Sequence, residues 1–171
     1  MKFQGVFTGT LLVVATPALA GSTTVASATV TARIVQPLQV SKVSDLAFGT
    51  IVRATSTGTN VVTIDPSTGA RKLSGSGDGM LAASDASRAA FTLTGAGGQR
   101  FSFSVPDTIV IASGANAITV ALTTSGATGI LSGGPGATGS ATVGIGGSFS
   151  LDSAQAPGVY AAAFNATIDY D

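Results

Sequence analysis

Polar and apolar side chains alternate along most of this chain, and the alternation is most regular at its two ends. In the closing stretch GVYAAAFNATIDYD, from Gly158 to Asp171, Tyr160, Ala162, Phe164, Ala166, Ile168 and Tyr170 share one parity. Val159, Ala161, Ala163, Asn165, Thr167 and Asp169 take the other. Near the start, GSTTVASATVTARIVQP places Ala26, Ala28, Val30, Ala32 and Ile34 on one face, against Ser27, Thr29, Thr31 and Arg33, until Pro37 breaks the run. A period of two is the signature of a strand with one face covered. Both ends therefore predict strands.

Between them the pattern repeats in short pieces. LAFGTIV reads as a strand interrupted at Gly49, a bulge or a close backbone approach. NVVTID pairs with ARKLS through a tight turn over Pro66, Ser67, Thr68 and Gly69. AAFTLTG, with Phe91 and Leu93 on one face, turns at Gly97-Gly98 into RFSFSV, where Phe101, Phe103 and Val105 alternate with serines. DTIVIA and AITVALTT follow, the second aligning Ile118, Val120 and Leu122. Residues 125–139 read as a loop, and ATVGIGGSFSL then sets Val143, Ile145, Phe149 and Leu151 in one parity. DASRAA is the one place where a helical turn is expected. About eight to ten short strands separated by Gly, Pro and Asp predict an all-β antiparallel sandwich or barrel.

Composition points the same way. Ala, Thr, Ser, Gly and Val dominate, every acid is Asp, and there are 23 glycines, so strong helix formers are scarce where β-branched and turn residues abound. Net charge is zero, with 8 basic and 8 acidic residues, which argues against nucleic acid or an anionic membrane as partner. Residues 1–20, MKFQGVFTGTLLVVATPALA, have a basic start at Lys2, a short apolar stretch, a break at Pro17 and small residues at Ala18 and Ala20. These are the parts of a secretory signal peptide. No later apolar run reaches the length of a membrane span. The expected product is exported, passing through a periplasm to the cell surface or medium. With no Cys the domain has no disulfide, although export would permit one.

Candidate chemistry is sparse. The absence of His and Cys excludes most zinc sites and nearly all nucleophilic triads. The aspartates sit at turns, as at Asp65, Asp78 and Asp107, where a carboxylate commonly caps backbone amides. GSGDG offers one Asp, short of the oxygen ligands that calcium requires. The glycine clusters at 95–98 and 144–147 precede no helical pattern, so they are not read as phosphate cradles. No catalytic residue, metal or cofactor is expected, and the chain is read as non-enzymatic.

An open sheet edge is a template for another chain, and ordered strands at both extremes raise the question of what pairs with them. Gly158 lies near the start of the terminal alternation and Tyr170 is penultimate, a pattern that resembles the C-terminal signature of chaperone–usher pilus subunits. DLAFGTIV, AAFTLTGAGGQRFSFSVPDTIVI and ATVGIGGSFSLDSAQAPGVYAAAFNATIDY resemble more closely the family called domain of unknown function 4402, exported bacterial β-sandwich proteins of pilin-like pattern. The pilin resemblance implies an immunoglobulin-like sandwich lacking its last strand, with an apolar groove beside the C-terminal strand. It implies a groove flanked by Gly158, Tyr160, Phe164, Ile168 and Tyr170, and a donor strand carrying Ala26, Ala28, Val30, Ala32 and Ile34. Three alanines among those five donor residues would bury less apolar area than a row of Val and Ile.

The expected organisation is a signal peptide at 1–20, an N-terminal donor strand at 21–36 and a β-sandwich domain at 37–171. The expected partners are further copies in a head-to-tail polymer, or related subunits, with a periplasmic chaperone in transit. Two pairings satisfy the pattern of residues 24–35: within their own sandwich, or with a neighbouring chain. The alternative function is a self-complete secreted module that binds a surface or glycan ligand. Against it stands the lack of an aromatic platform, there being no Trp and only two Tyr.

Overall fold

The computed structural model describes residues 24–171. The chain divides into two units, Met1–Arg33 and Ile34–Asp171. The expected signal peptide lies outside the described residues. Residues 24–33 of the first unit carry no helix or strand, and their side chains are exposed.

The second unit is all-β, with no helix among the described residues and therefore none long enough to cross a membrane. Its strands are β1 (Gln39–Ser44), β2 (Ile51–Val52), β3 (Asn60–Ile64), β4 (Arg71–Gly75), β5 (Met80–Leu81) and β6 (Ala89–Ala96). They continue with β7 (Arg100–Ser104), β8 (Thr108–Ser113), β9 (Asn116–Thr124), β10 (Thr128–Ile130), β11 (Thr138–Leu151) and β12 (Thr167–Tyr170). Every pairing is antiparallel. One sheet of seven strands has hydrogen-bonded neighbours β1-β6-β11-β3-β4, with β9 also on β11 and β8 on β9. A second sheet runs β10-β7-β12, and β2 pairs with β5. The curled sheets enclose one core, a β-sandwich-like arrangement with a few more short strands than the sequence pattern suggests.

The expected β3–β4 hairpin forms as read. Asp65 Oδ1 accepts from the amides of Ser67 (2.8 Å) and Thr68 (2.7 Å), and Gly69 closes the turn at φ +78°. These bonds hold the Asp65 carboxyl below its ordinary pKa, the Thr68 amide contributing most. Alternation also predicted the core: Ile118, Val120 and Leu122 of β9, and Val143, Ile145, Phe149 and Leu151 of β11, are all buried. Val62, Ile64, Leu93, Val120, Leu131 and Ile145 lose essentially all contact with solvent, each contributing roughly 1.5–3 kcal/mol by area transfer.

Four stretches differ from expectation. DASRAA forms no helical turn; Ser87 bridges to Ala47 and the chain enters β6 at Ala89, because the sheet supplies the hydrogen bonds a lone turn would lack. Residues 125–139 contain β10, which pairs with β7 through Gly129 opposite Phe101. There glycine is needed because a Cβ at 129 would press on the Phe101 ring at 2.7 Å. The N-terminal alternation makes no strand among residues 24–38. The terminal run is a strand only at Thr167–Tyr170, with a single bridge at Ala161. Residues 162–166 keep the alternation, Phe164 and Ala166 half-buried and their neighbours exposed, but no strand lies alongside to pair with them.

Candidate functional site

A groove of about 760 Å³ runs beside the C-terminal segment of the second unit. One wall is residues 46–51 with Arg53; the other is residues 155–162 with Phe164. The floor is apolar: Ile109 and Ile111 of β8, Ile118 and Val120 of β9, and Phe149 and Leu151 of β11. Alternation along those strands aims the residues at the groove, and an edge-on contact between Phe48 and Phe149, centroids 4.9 Å apart at 81°, joins wall to floor.

The first wall is fixed from outside. Ala47 exchanges both backbone hydrogen bonds with Ser87 at 2.9 Å, and Ala82 N–H donates to Thr50 C=O at 3.1 Å. Arg71 reaches under it and donates to the carbonyls of Phe48 (2.7 Å), Thr50 (3.3 Å) and Ala82 (2.6 Å). A cation on a long stem thus ties three carbonyls together, one of which, Thr50 C=O, it shares with the Ala82 amide. Gly49 bends the wall at φ +69°, and a Cβ there would also meet the Arg71 guanidinium at 2.6 Å.

The second wall is knotted at its start. Asp152 Oδ1 accepts from the amides of Ala154 (2.9 Å) and Gln155 (3.1 Å). The Tyr160 hydroxyl donates to Ala156 C=O and accepts from Gln155 Nε2, both at 2.7 Å. Gly158 passes against Ser113, whose side chain a Cβ would strike. Ala161 then exchanges two bonds with Ala112 on β8, at 3.2 and 3.1 Å. Beyond it, among the described residues, no backbone group of 162–166 has a hydrogen-bond partner. Unpaired amides and carbonyls thus lie beside an apolar trough, and backbone groups left unpaired in this way are open to further hydrogen bonding.

Of the residues expected to flank an acceptor groove, Gly158, Tyr160 and Phe164 lie along this concavity. Ile168 lies in β12 opposite Phe103 and packs against the core. Tyr170 does not line the groove either: its hydroxyl accepts from Ala96 N–H (2.7 Å) and donates to Gln36 C=O (2.8 Å). Of the predicted donor residues, Val30 is 93% and Ile34 96% exposed, and Ala26, Ala28 and Ala32 are exposed as well.

Sequence reading did not anticipate the first wall, Arg53 or the contribution of β8. The alternation of Ile109 and Ile111 against exposed Thr108 and Val110 was the available signal. The lining is mostly apolar, with Arg53, Thr50, Gln155 and Tyr160 as its polar side chains.

The family model described as Domain of unknown function (DUF4402) matches residues 38–170. No curated protein and no solved structure matches the chain.

Proposed function

This chain belongs to the DUF4402 family, and from that premise and the groove we propose that it is an exported, non-enzymatic structural subunit, pilin-like, that assembles by adding a strand from one copy to the next. The observation that carries the reading is the apolar groove beside the unpaired backbone of residues 162–166. A strand laid there would gain ladder hydrogen bonds from that backbone and apolar contact from alternate side chains. The segment proposed to supply it is residues 24–35, with Ala26, Ala28, Val30, Ala32 and Ile34 inward. Burying Val30 and Ile34 alone is worth roughly 1.5–3 kcal/mol each, and ladder bonds add about 0.5–1.5 kcal/mol apiece. Such a contact is heterologous and does not close, so it propagates a fibre. A signal peptide at 1–20 directs export, a periplasmic chaperone occupies the groove in transit, and the assembled subunit resides at the cell surface.

Sizing and melting of the exported chain, with and without residues 21–36, test the proposal. Polymers that vanish on truncation, and a truncated domain stabilised in solution by a peptide of residues 24–35, are expected. A full chain that stays monomeric, with a truncated form that unfolds, would mean that the segment completes its own sandwich and does not link copies. A second reading rests on size: about 760 Å³ lies within the range of small-ligand pockets, roughly 300–1,000 Å³. A secreted binding module would remain a stable monomer with or without residues 21–36.

A further inference from the structure

The two walls of the groove belong to distant parts of the chain, and one side chain joins them where the second wall begins. Arg53 Nη1 donates to Ser153 C=O (3.1 Å) and Gln155 C=O (2.9 Å), across about a hundred residues of sequence. We propose that Arg53 is a strap that holds the walls at a fixed spacing and closes that end, so that a strand entering the groove stops in one register. The register part of the inference rests on the strand-addition reading; the strap itself does not.

Both anchorages of the strap are built before anything enters. On the donating side, the buried Ala54 follows Arg53, and Asp78 accepts from Thr55 N–H (2.8 Å), Thr55 Oγ1 (2.8 Å) and Ser56 N–H (3.2 Å). The backbone that carries Arg53 is thereby held. On the accepting side, Asp152 folds residues 152–155 into a turn that presents the Ser153 and Gln155 carbonyls together. Gln155 and Tyr160 fasten that turn to the second wall. A guanidinium is suited to the task because it stays charged and its N–H donors lie in a fixed plane, whereas those of a lysine ammonium rotate on a flexible stem.

The strap matters for register because the groove grips by alternate side chains. A strand that slips by two residues keeps its apolar face inward and loses little, so pattern alone does not locate it. A closed end does. Arg53 is a polar tie beside an otherwise apolar floor of Ile109, Ile111, Ile118, Val120, Phe149 and Leu151.

The test uses the full chain carrying Arg53→Ala, Arg53→Lys, or Lys72→Ala as a control that removes a cation from β4. Amide hydrogen exchange is read at residues 153–162 and 48–52. Arg53→Ala is expected to speed exchange there about tenfold or more while leaving β6 and β11 unchanged, Arg53→Lys to fall between, and Lys72→Ala to match the parent. Unchanged exchange at both walls in Arg53→Ala overturns the strap. Register is read in assembled material with a photo-crosslinker at position 30. The parent should mark one short span of the groove, and Arg53→Ala two or more spans about two residues apart. A single, identical span in both overturns register control while leaving assembly intact. If no crosslink joins copies of the parent, the assembly reading and its register role fail together, and the exchange result still decides the strap.

Discussion

Tyr170→Phe removes one oxygen atom and nothing else, yet that oxygen joins three parts of the chain. It accepts from Ala96 N–H on β6 and donates to Gln36 C=O, where the chain enters the sandwich. The two partners differ in what they lose. Gln36 is on the exposed side of the contact, and water replaces the hydroxyl there at little cost. Ala96 is 8% exposed, so its amide is left without a partner. A buried donor stranded in this way costs about 1–3 kcal/mol. For a domain of this size, about 4 °C of melting temperature accompanies each kcal/mol, so Tyr170→Phe should melt roughly 4–12 °C below the parent by calorimetry. Gly95 supplies an internal check. A Cβ at residue 95 would occupy the place of the Tyr170 hydroxyl and approach Leu131 Cδ1 and Leu38 Cδ2, both at 3.1 Å. Gly95→Ala should therefore cost less in the Tyr170→Phe background than in the parent, a coupling of about 0.5–3 kcal/mol. A Tyr170→Phe variant melting within about 1 °C of the parent, or strict additivity with Gly95→Ala, would refute the stranded-amide reasoning.

Two further predictions concern the loops around the groove. Arg71→Ala strips the first wall of its donors to Phe48, Thr50 and Ala82 and should cost about 1–3 kcal/mol in chemical denaturation, with Arg71→Lys recovering only part because an ammonium lacks the fork. Asp78 has its pKa drawn down to about 2, chiefly by the Thr55 hydroxyl and then by the Ser56 and Thr55 amides. Its folded-state value is below the unfolded one, so its contribution is complete above about pH 4 and lost as pH falls toward about 2. Melting curves of Asp78→Asn and the parent should accordingly be furthest apart above pH 4 and converge in acid.

Alternation located most of the strands because burial on one face imposes a period of two; the period survives in β9 and, outside the continuously buried Val143–Gly147, in β11. It also named the inward parity of the terminal segment, Tyr160 through Tyr170. What it did not contain is partnership. Residues 162–166 alternate as strictly as residues 167–170, yet only the latter find β7, because a side-chain pattern reports which face is covered and is silent about which backbone lies alongside. The same silence covers residues 24–35. Arg53 was illegible for a different reason: a surface cation has no pattern of its own, and its two carbonyl partners are about a hundred residues away.

The GIGG stretch of β11 marks the point where the floor of the groove is set. Along one edge of β11, β6 pairs with Thr138–Ile145 and β3 with Gly147–Leu151, while β9 takes the opposite edge at Ile145–Ser148. The edge changes partner at Gly146. There the chain leaving β3 crosses so close that a Cβ at 146 would strike Ile64 C=O, and one at 144 would strike Pro66 C=O. Neither glycine has a positive φ, so close approach and not backbone conformation requires them. Backbone atoms cannot swing aside as a side chain can, so any larger residue would push β3 away from β11. The partner exchange lets a single fourteen-residue strand serve both ends of the sandwich, carrying Val143 and Ile145 into the core and Phe149 and Leu151 under the groove. Glycines that resemble a phosphate cradle by letter thus serve to let the backbone leaving β3 pass against β11 where its partner changes.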